Sequence, residues 1–164
     1  MPVKDGSGIK PHQTEPRSAI FVTSSIFPAR GYSAPMDATV ITQCLELVGE
    51  RCPDPAPLVF QRLFADNPAV EALFVRDTAG LVRGEMMAVT MEALLDCASG
   101  DDYAVNLVAI ERTNHEGMGV SPAVFDTFFR VVMAVFKDIL GPDWTQDMDG
   151  AWRRVLAKFP HALA

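Results

Sequence analysis

The sequence predicts an all-α fold of about seven helices, and two observations carry that prediction. From residue 36 onward, apolar side chains recur at three- and four-residue spacing, which is the period of one face of an α-helix. Each of these segments ends at a proline, a glycine or a polar turn, as helices do. Beyond the first 35 residues, the sequence has no stretch of the apolar–polar alternation that is typical of strands.

Two helices are expected in the first part of this region. The first covers residues 36–51 and ends at 52–55, a stretch that contains two prolines. The second covers residues 56–65 and ends around 67–68, where a proline follows an asparagine. A short turn with apolar side chains comes next, and the polar corner at 76–80 then leads to the longer helices.

The longer helices occupy the rest of the chain. Residues 81–97 are apolar around most of the helix circumference, and the apolar stripe that we expect to be buried includes Val82 and Val89. Such a helix is expected to contact other helices on one side and a ligand on the other. The remaining helices are predicted over 103–115, over 121–140 with Ser121 as N-cap and Pro122 as first helical residue, and from the N-cap Thr145 to about Phe159.

The first 35 residues have a different character. They contain five prolines with glycine, serine and lysine between them, and they show no helical period. We therefore predict an N-terminal extension over 1–35, partly flexible, and one domain over 36–164. The segment 20–27 is too apolar for a free tail, so we expect it to pack on the domain or on a second subunit. The overlapping segment 18–27 is too short and too interrupted for the core of a signal peptide.

Charge and cysteine content exclude several classes of protein. The formal net charge is −7, the pI is about 4.8 and no cluster of Lys and Arg occurs, which argues against nucleic-acid binding. No run of 18 apolar residues is present, so no membrane span is expected. Cys44, Cys52 and Cys97 are odd in number and form no CxxC pair, which argues against disulfides and zinc. We expect them to be small core residues of a cytoplasmic protein.

His115 is the residue whose setting points most directly to chemistry. It is the only histidine away from the chain ends, and it lies near the end of a predicted helix, before Gly117 and Gly119. An imidazole in this place suits an axial ligand of haem iron, with its second nitrogen held by the backbone carbonyl of Glu111. It also suits a histidine that merely stabilises a helix C-terminus. The local pattern leaves both interpretations open.

Three stretches match one family in their order and spacing. Residues 59–74 read VFQRLFADNPAVEALF, His115 precedes Gly119-Val120 by three intervening residues, and residues 136–152 read FKDILGPDWTQDMDGAW. Together they resemble the globin family, in its bacterial single-domain haemoglobin and flavohaemoglobin type. They are similar to the second helix with its following corner, to the surroundings of the proximal histidine, and to the run from the seventh helix into the eighth. The resemblance covers about 36–159 and implies a globin fold of seven to eight helices that binds haem b.

The resemblance assigns roles around the haem. His115 becomes the proximal ligand of the iron, and Phe74 occupies the corner position that stacks on the haem ring. Phe60 falls on a distal position where this family usually has a tyrosine that donates a hydrogen bond to bound gas. Phe125 falls where flavohaemoglobins have a tyrosine behind the histidine, and the accompanying glutamate has no counterpart up to Ala164. These departures weaken the expectation of oxygen-activating chemistry.

The distal helix leaves two alternatives open. The polar distal position falls on Arg83 or on Gly84, because a one-residue gap in the preceding corner prevents a choice. Met87 or Ala88 then covers the pocket. The guanidinium of Arg83 suits a group that moves over the ligand or pairs with a haem propionate, whereas the simpler interpretation is an exposed arginine at a helix start.

Three functions follow from the resemblance. The first is reversible binding of a diatomic gas (O2, NO or CO) at haem iron ligated by His115, by a protein that we do not expect to be an enzyme on its own. The second is a nitric oxide dioxygenase or weak peroxidase, which needs a separate reductase as electron donor. The third is a haem-less or haem-optional sensor or interaction module, which the apolar segment 20–27 favours. A plain helical bundle is the remaining interpretation, and the long helix over 121–140 is compatible with a homodimer.

Overall fold

The structure, a computed structural model, describes residues 36–159 and is helical without strands in that range. The prediction of an all-α fold with about seven helices is confirmed. The α-helices are α1 (Met36–Arg51), α2 (Ala56–Asp66), α3 (Pro68–Glu71), α4 (Leu81–Ser99), α5 (Asp102–Gly117), α6 (Pro122–Leu140) and α7 (Gln146–Leu156), with 3-10 turns at Ala72–Phe74 and Gly141–Asp143.

Polar side chains set the starts of the last three helices. The carboxylate of Asp101 accepts a hydrogen bond from the Tyr103 amide at 2.7 Å and begins α5. Ser121, predicted as an N-cap, accepts from the Val124 amide at 3.4 Å, and Thr145 accepts from the Met148 amide at 3.1 Å. Both predicted caps are confirmed, because they satisfy amide groups that have no partner within the helix.

The core of the described range lies where α1, α6 and α7 meet. α1 packs against α4, α6 and α7, and α2 packs against α6. Trp152 of α7 is fully buried, its indole N–H donates to the sulfur of Cys44 at 3.3 Å, and its ring lies edge-on to Phe136 with centroids 5.7 Å apart. Phe159 follows the end of α7 and is buried as well. The third stretch of the globin resemblance, residues 136–152, thus contributes two of its rings to this core.

One part of the predicted packing of α4 is wrong. Val82 and Val89 were expected in the buried stripe, but they are 54% and 38% exposed. The buried side of α4 does include Ala93 and Cys97 of the predicted stripe, together with Met87, Thr90 and Leu94. The helix packs against α1, α2, α5 and α7. A helix that is apolar around most of its circumference does not reveal from periodicity alone which side is buried.

The cysteines follow the prediction only in part. Cys44 and Cys97 are buried and unpaired, as expected of small core residues. Cys52 is half-buried just after α1, with its sulfur 3.4 Å from the carbonyl oxygen of Asp54, so it is not a core residue. Burial raises the pKa of both the Cys44 and the Cys97 thiol above its ordinary value, which keeps these two groups protonated at neutral pH.

The predicted extension over 1–35, with its apolar segment 20–27, lies outside the described residues, as do residues 160–164. Within 36–159, no helix is long and apolar enough to cross a membrane.

Candidate functional site

The ring of His115 is held in a defined orientation near the end of α5. Its Nδ1 lies 2.7 Å from the backbone carbonyl oxygen of Glu111, one turn earlier in the same helix. Because a carbonyl oxygen can only accept, Nδ1 carries a proton and donates it to this bond, and in the neutral imidazole the lone pair is then on Nε2. The side chain is 19% exposed, so the imidazole lies at the edge of the packed region rather than in open solvent. This is the tautomer in which Nε2 binds a metal.

The turn after His115 aims the chain into α6. The Val120 amide donates to the carbonyl oxygen of His115 at 2.9 Å, and Gly119 between them has φ of 90°. Residues with a Cβ adopt this left-handed backbone conformation only at a cost in free energy, and glycine avoids that cost because it has no Cβ. Ser121 then begins α6. The first turn of α6 is thereby placed beside the last turns of α5.

Phe125 lies against the histidine as a consequence of that turn. The ring centroids of His115 and Phe125 are 5.0 Å apart, with the planes inclined by 56°. Phenylalanine has no polar atom, so it supports the imidazole by packing alone and makes no hydrogen bond to it. The structure brings these two predicted site residues together.

A charged pair that the sequence analysis missed lies beside this contact. Arg112 of α5 donates from Nε to one carboxylate oxygen of Asp126 at 2.8 Å and from a terminal nitrogen to the other at 3.1 Å. The hydrogen bonds to Asp126 raise the pKa of Arg112 above its already high ordinary value. The sequence shows that Arg112 lies three residues before the histidine. It does not reveal the partner Asp126, because the pairing depends on how α5 and α6 pack.

The aromatic residues of the predicted site form one continuous chain of ring contacts. Successive centroids are between 5.0 and 6.1 Å apart, which is the range of favourable tilted and edge-to-face packing. This series of rings connects the corner after α2 with the end of α5. It therefore links Phe74 and Phe60 to the predicted proximal residues Phe125 and His115. In order, the rings are those of Phe74, Phe60, Phe128, Phe129, Phe125 and His115.

Arg83 is paired, and its partner Asp77 was not predicted. The guanidinium donates from Nε to an Asp77 carboxylate oxygen at 2.9 Å and from a terminal nitrogen to the Asp77 carbonyl oxygen at 3.0 Å. The same carboxylate accepts from the Val82 and Arg83 amides at the start of α4. Partial burial acts to raise the pKa of Asp77, but these hydrogen bonds outweigh it and hold the pKa below its ordinary value. Arg83 is therefore not the free, exposed arginine of the simpler interpretation.

An open groove of about 560 Å³ runs along this corner, and Phe64, Phe74, Asp77 and Arg83 are among its lining residues. The groove brings the predicted stacking residue Phe74 and the predicted distal residue Arg83 to one place. Any movement of the guanidinium toward a ligand has to exchange its hydrogen bonds to Asp77 for new ones.

The other distal candidates lie on α4. Met87 is 2% exposed and belongs to the core, while Ala88 is half-buried. No heavy atom lies within 4 Å of the point where a Cβ at Gly84 would be, so this glycine borders open space.

Comparison with known protein families supports the pattern seen in the sequence. A family model described as Globin matches residues 58–163, which is more than half of the 164-residue chain. Comparison with curated proteins and with solved structures returns no match. The matched range includes α2 from residue 58 and the whole of α3 to α7, and with them His115, Phe125, Phe60 and Phe74. The chain belongs to the globin family.

Proposed function

We propose that this globin binds haem b through Nε2 of His115 and reversibly binds a diatomic gas, O2, NO or CO, at the iron. Membership of the family implies haem and gas binding in general. The observation that carries the proposal for this chain is the 2.7 Å hydrogen bond from Nδ1 of His115 to the Glu111 carbonyl oxygen. It fixes the orientation of the ring and, for the neutral imidazole, places the proton on Nδ1, and both favour ligation of iron by the other nitrogen.

The donor set and its surroundings fit haem. A porphyrin supplies four nitrogens itself, so the protein needs to provide only one axial donor and an apolar environment for the ring. His115 is such a donor, and Phe125 beside it begins the chain of aromatic rings that reaches Phe74. Haem, when bound, supplies an iron atom with an axial position for a gas molecule. Phe125 and Phe74 then offer apolar surface, while Nδ1–H of His115 stays hydrogen-bonded to the Glu111 carbonyl oxygen.

The distal residues favour rapid release of oxygen. Phe60 has no hydrogen-bond donor, and the guanidinium of Arg83 is held by Asp77. A gas molecule in this pocket therefore gains little stabilisation from the protein unless Arg83 leaves Asp77. An oxygen dissociation rate that is unchanged in Arg83→Ala would show that this arginine takes no part.

The first experiment is a haem titration followed by absorption spectroscopy. The wild type is expected to develop a sharp Soret band that saturates at one haem per chain, as in globins with one proximal histidine. His115→Ala is expected to lose or greatly weaken the band, because the axial nitrogen is removed. The other two histidines of the chain, His12 and His161, provide matched controls whose alanine variants keep the band. A band that persists unchanged in His115→Ala contradicts the proposal.

One observation favours the haem-less alternative. Phe60 is fully buried and Met87 is 2% exposed, so the side chains expected on the distal side already pack within the protein. If these residues line the distal side as the resemblance implies, haem binding requires them to move apart. A folded wild type that gives no specific Soret band would support a sensor or interaction module.

The dioxygenase alternative has less support. The proximal tyrosine of flavohaemoglobins is replaced by Phe125, which makes no hydrogen bond to His115, so electron donation toward the iron is reduced. Turnover also needs a separate reductase. We include the bacterial single-domain type in the proposal because of the spacing between His115 and Gly119-Val120.

A further inference from the structure

The half of α5 that carries His115 has little apolar anchoring. The buried residues of this helix are Ala104 and Val108, and both lie in its first half. From 109 to 117 every side chain is half-buried or exposed. Because packing of an apolar face supplies most of the stability of a helix in a protein, the last turns of α5 depend on other contacts.

The pair of Arg112 and Asp126 provides such a contact. The two charged groups meet in a two-pronged geometry with donor–acceptor distances of 2.8 and 3.1 Å, which fixes orientation as well as distance. The Asp126 side chain is 10% exposed and that of Arg112 is 28% exposed, so solvent screens the pair less than an ordinary surface ion pair. It joins the poorly anchored half of α5 to the well-packed helix α6.

The position of the pair relates it directly to the histidine. Arg112 lies three residues before His115, so the two side chains are neighbours on one side of α5. Asp126 follows Phe125, whose ring contacts the imidazole. The junction of α5 with α6 thus has two parallel contacts, His115 with Phe125 and Arg112 with Asp126. The first restrains the imidazole, and the second restrains the backbone from which it projects.

We propose that the Arg112–Asp126 ion pair is a positioning device that holds the last turns of α5 against α6 and so keeps His115 in place to ligate haem iron. This inference rests on the proposed function. Arg112 and Asp126 are positioning residues, since they act through the histidine. The geometry requires a carboxylate at 126 and a guanidinium at 112, because an ammonium group makes no two-pronged contact.

The test compares variants of the pair in the haem-loaded full chain. In Asp126→Asn, haem is expected to dissociate into an excess of a haem-scavenging protein about tenfold faster than in the wild type, the order found when groups that orient a metal ligand are changed. Arg112→Lys, which keeps the charge, is expected to give an intermediate rate and serves as the second variant if Asp126→Asn folds poorly. The iron–histidine stretching band in the resonance Raman spectrum is expected to shift or broaden in both.

Asp138→Asn is the matched control. This variant removes the ion pair between Asp138 and Arg62, which joins α2 to α6. The pair is exposed and involves neither α5 nor the Arg112–Asp126 pair. It is expected to leave the haem dissociation rate and the iron–histidine band as they are in the wild type. Wild-type values for both readouts in Asp126→Asn and Arg112→Lys would overturn the proposal.

Amide hydrogen exchange of the haem-free protein separates this inference from the proposed function. Residues 109–117 are expected to exchange faster in Asp126→Asn than in the wild type, because the last turns of α5 lose their link to α6. Equal exchange would overturn the positioning role. A wild type that takes up no haem would overturn the proposed function, and with it the role of the pair toward iron, even if exchange showed that the pair holds the helix.

Discussion

Helix α7 and the second half of α5 differ in how they are held. α7 buries five side chains, among them Trp152, and its indole contacts α1 through Cys44 and α6 through Phe136. Residues 109–117 of α5 bury none. They are held by the imidazole against Phe125, by an ion pair, and by the turn at Gly119. One region is a packed apolar core, and the other is a polar junction.

The difference predicts that stability and the proposed binding of haem depend on separate parts of this fold. Removing a buried apolar side chain leaves a cavity that the whole domain has to tolerate, whereas loosening a polar junction affects mainly the segment that it joins. The helix that presents the candidate ligand belongs to the second kind. Variants at the two regions are therefore expected to give different outcomes, and the following predictions start with the largest effect.

Trp152→Ala is expected to lower the free energy of unfolding by about 3–5 kcal/mol, because a large aromatic ring is removed from a fully buried site. Trp144→Ala is the matched control, since Trp144 is half-buried, and its loss is expected to be clearly smaller. Urea denaturation followed by circular dichroism measures both. Equal losses of unfolding free energy in the two variants would contradict the prediction that Trp152 contributes more to the core than Trp144.

Gly119→Ala is expected to cost about 1–2 kcal/mol, because an alanine is forced into left-handed backbone geometry at φ of 90°. No heavy atom lies within 4 Å of the added Cβ, so the cost comes from the backbone and not from a clash. Gly117→Ala has equally open surroundings but no positive φ, and is expected to be neutral or stabilising. The same denaturation experiment distinguishes them, and similar effects would argue against the turn as part of the junction.

Asp149 gives the α6–α7 corner a defined dependence on pH. The hydrogen bond from Arg153, with others from Lys137 and Trp144, lowers the pKa of Asp149 from 3.8 to about 2, although burial acts to raise it. The unfolded chain binds the proton first, so this stabilisation is complete above pH 3.8 and disappears as the pH falls through about 2.

Asp149→Asn is therefore expected to lower the free energy of unfolding by about 1 kcal/mol at neutral pH, a figure reduced because the site is partly exposed. Near pH 2 the variant and the wild type are expected to be equally stable. Unfolding measured as a function of pH tests this prediction. A difference between the two proteins that does not shrink with falling pH would contradict it.

Glu111→Gln is expected to have the smallest effect on stability and a measurable effect on the haem. One carboxylate oxygen of Glu111 lies 3.7 Å from Nδ1 of His115, and the side chain is 39% exposed. If His115 ligates haem iron as proposed, this negative charge would stabilise oxidised iron through the imidazole. The variant is then expected to have a more positive reduction potential with unchanged unfolding. Glu116→Gln, which neutralises an exposed glutamate of the same helix, is the control. Redox titration that finds no change in Glu111→Gln would exclude this influence.

Local chemistry accounts for most of what could be predicted. The caps at Ser121 and Thr145 depend on residues within three positions of each other, so the sequence reveals them directly. The contact between His115 and the Glu111 carbonyl also follows from helix geometry alone. The all-α fold was predictable for the same reason, since the apolar period is local to each helix.

What could not be predicted depends on how helices are oriented. Val82 and Val89 were placed on the wrong side of α4 because this helix has apolar residues on nearly every side. The partner of Arg112 is 14 residues away across a turn, and pairing requires the angle between α5 and α6. Asp77 lies closer to Arg83, but its role depends on the folded corner between them. The roles of Phe60, Phe74 and Met87 toward haem stay predictions.

The two tryptophans of the sequence have a consequence for spectroscopy. Trp144 and Trp152 are the whole tryptophan content of the chain, and their rings lie 6.2 Å apart at the α6–α7 corner. Their fluorescence therefore follows the environment of the apolar core, while far-ultraviolet circular dichroism follows every helix, α5 included. Coinciding transitions would indicate that the end of α5 unfolds with the core. A dichroism signal that declines before the fluorescence changes would show fraying of the histidine-bearing helix in a protein whose emission still appears native.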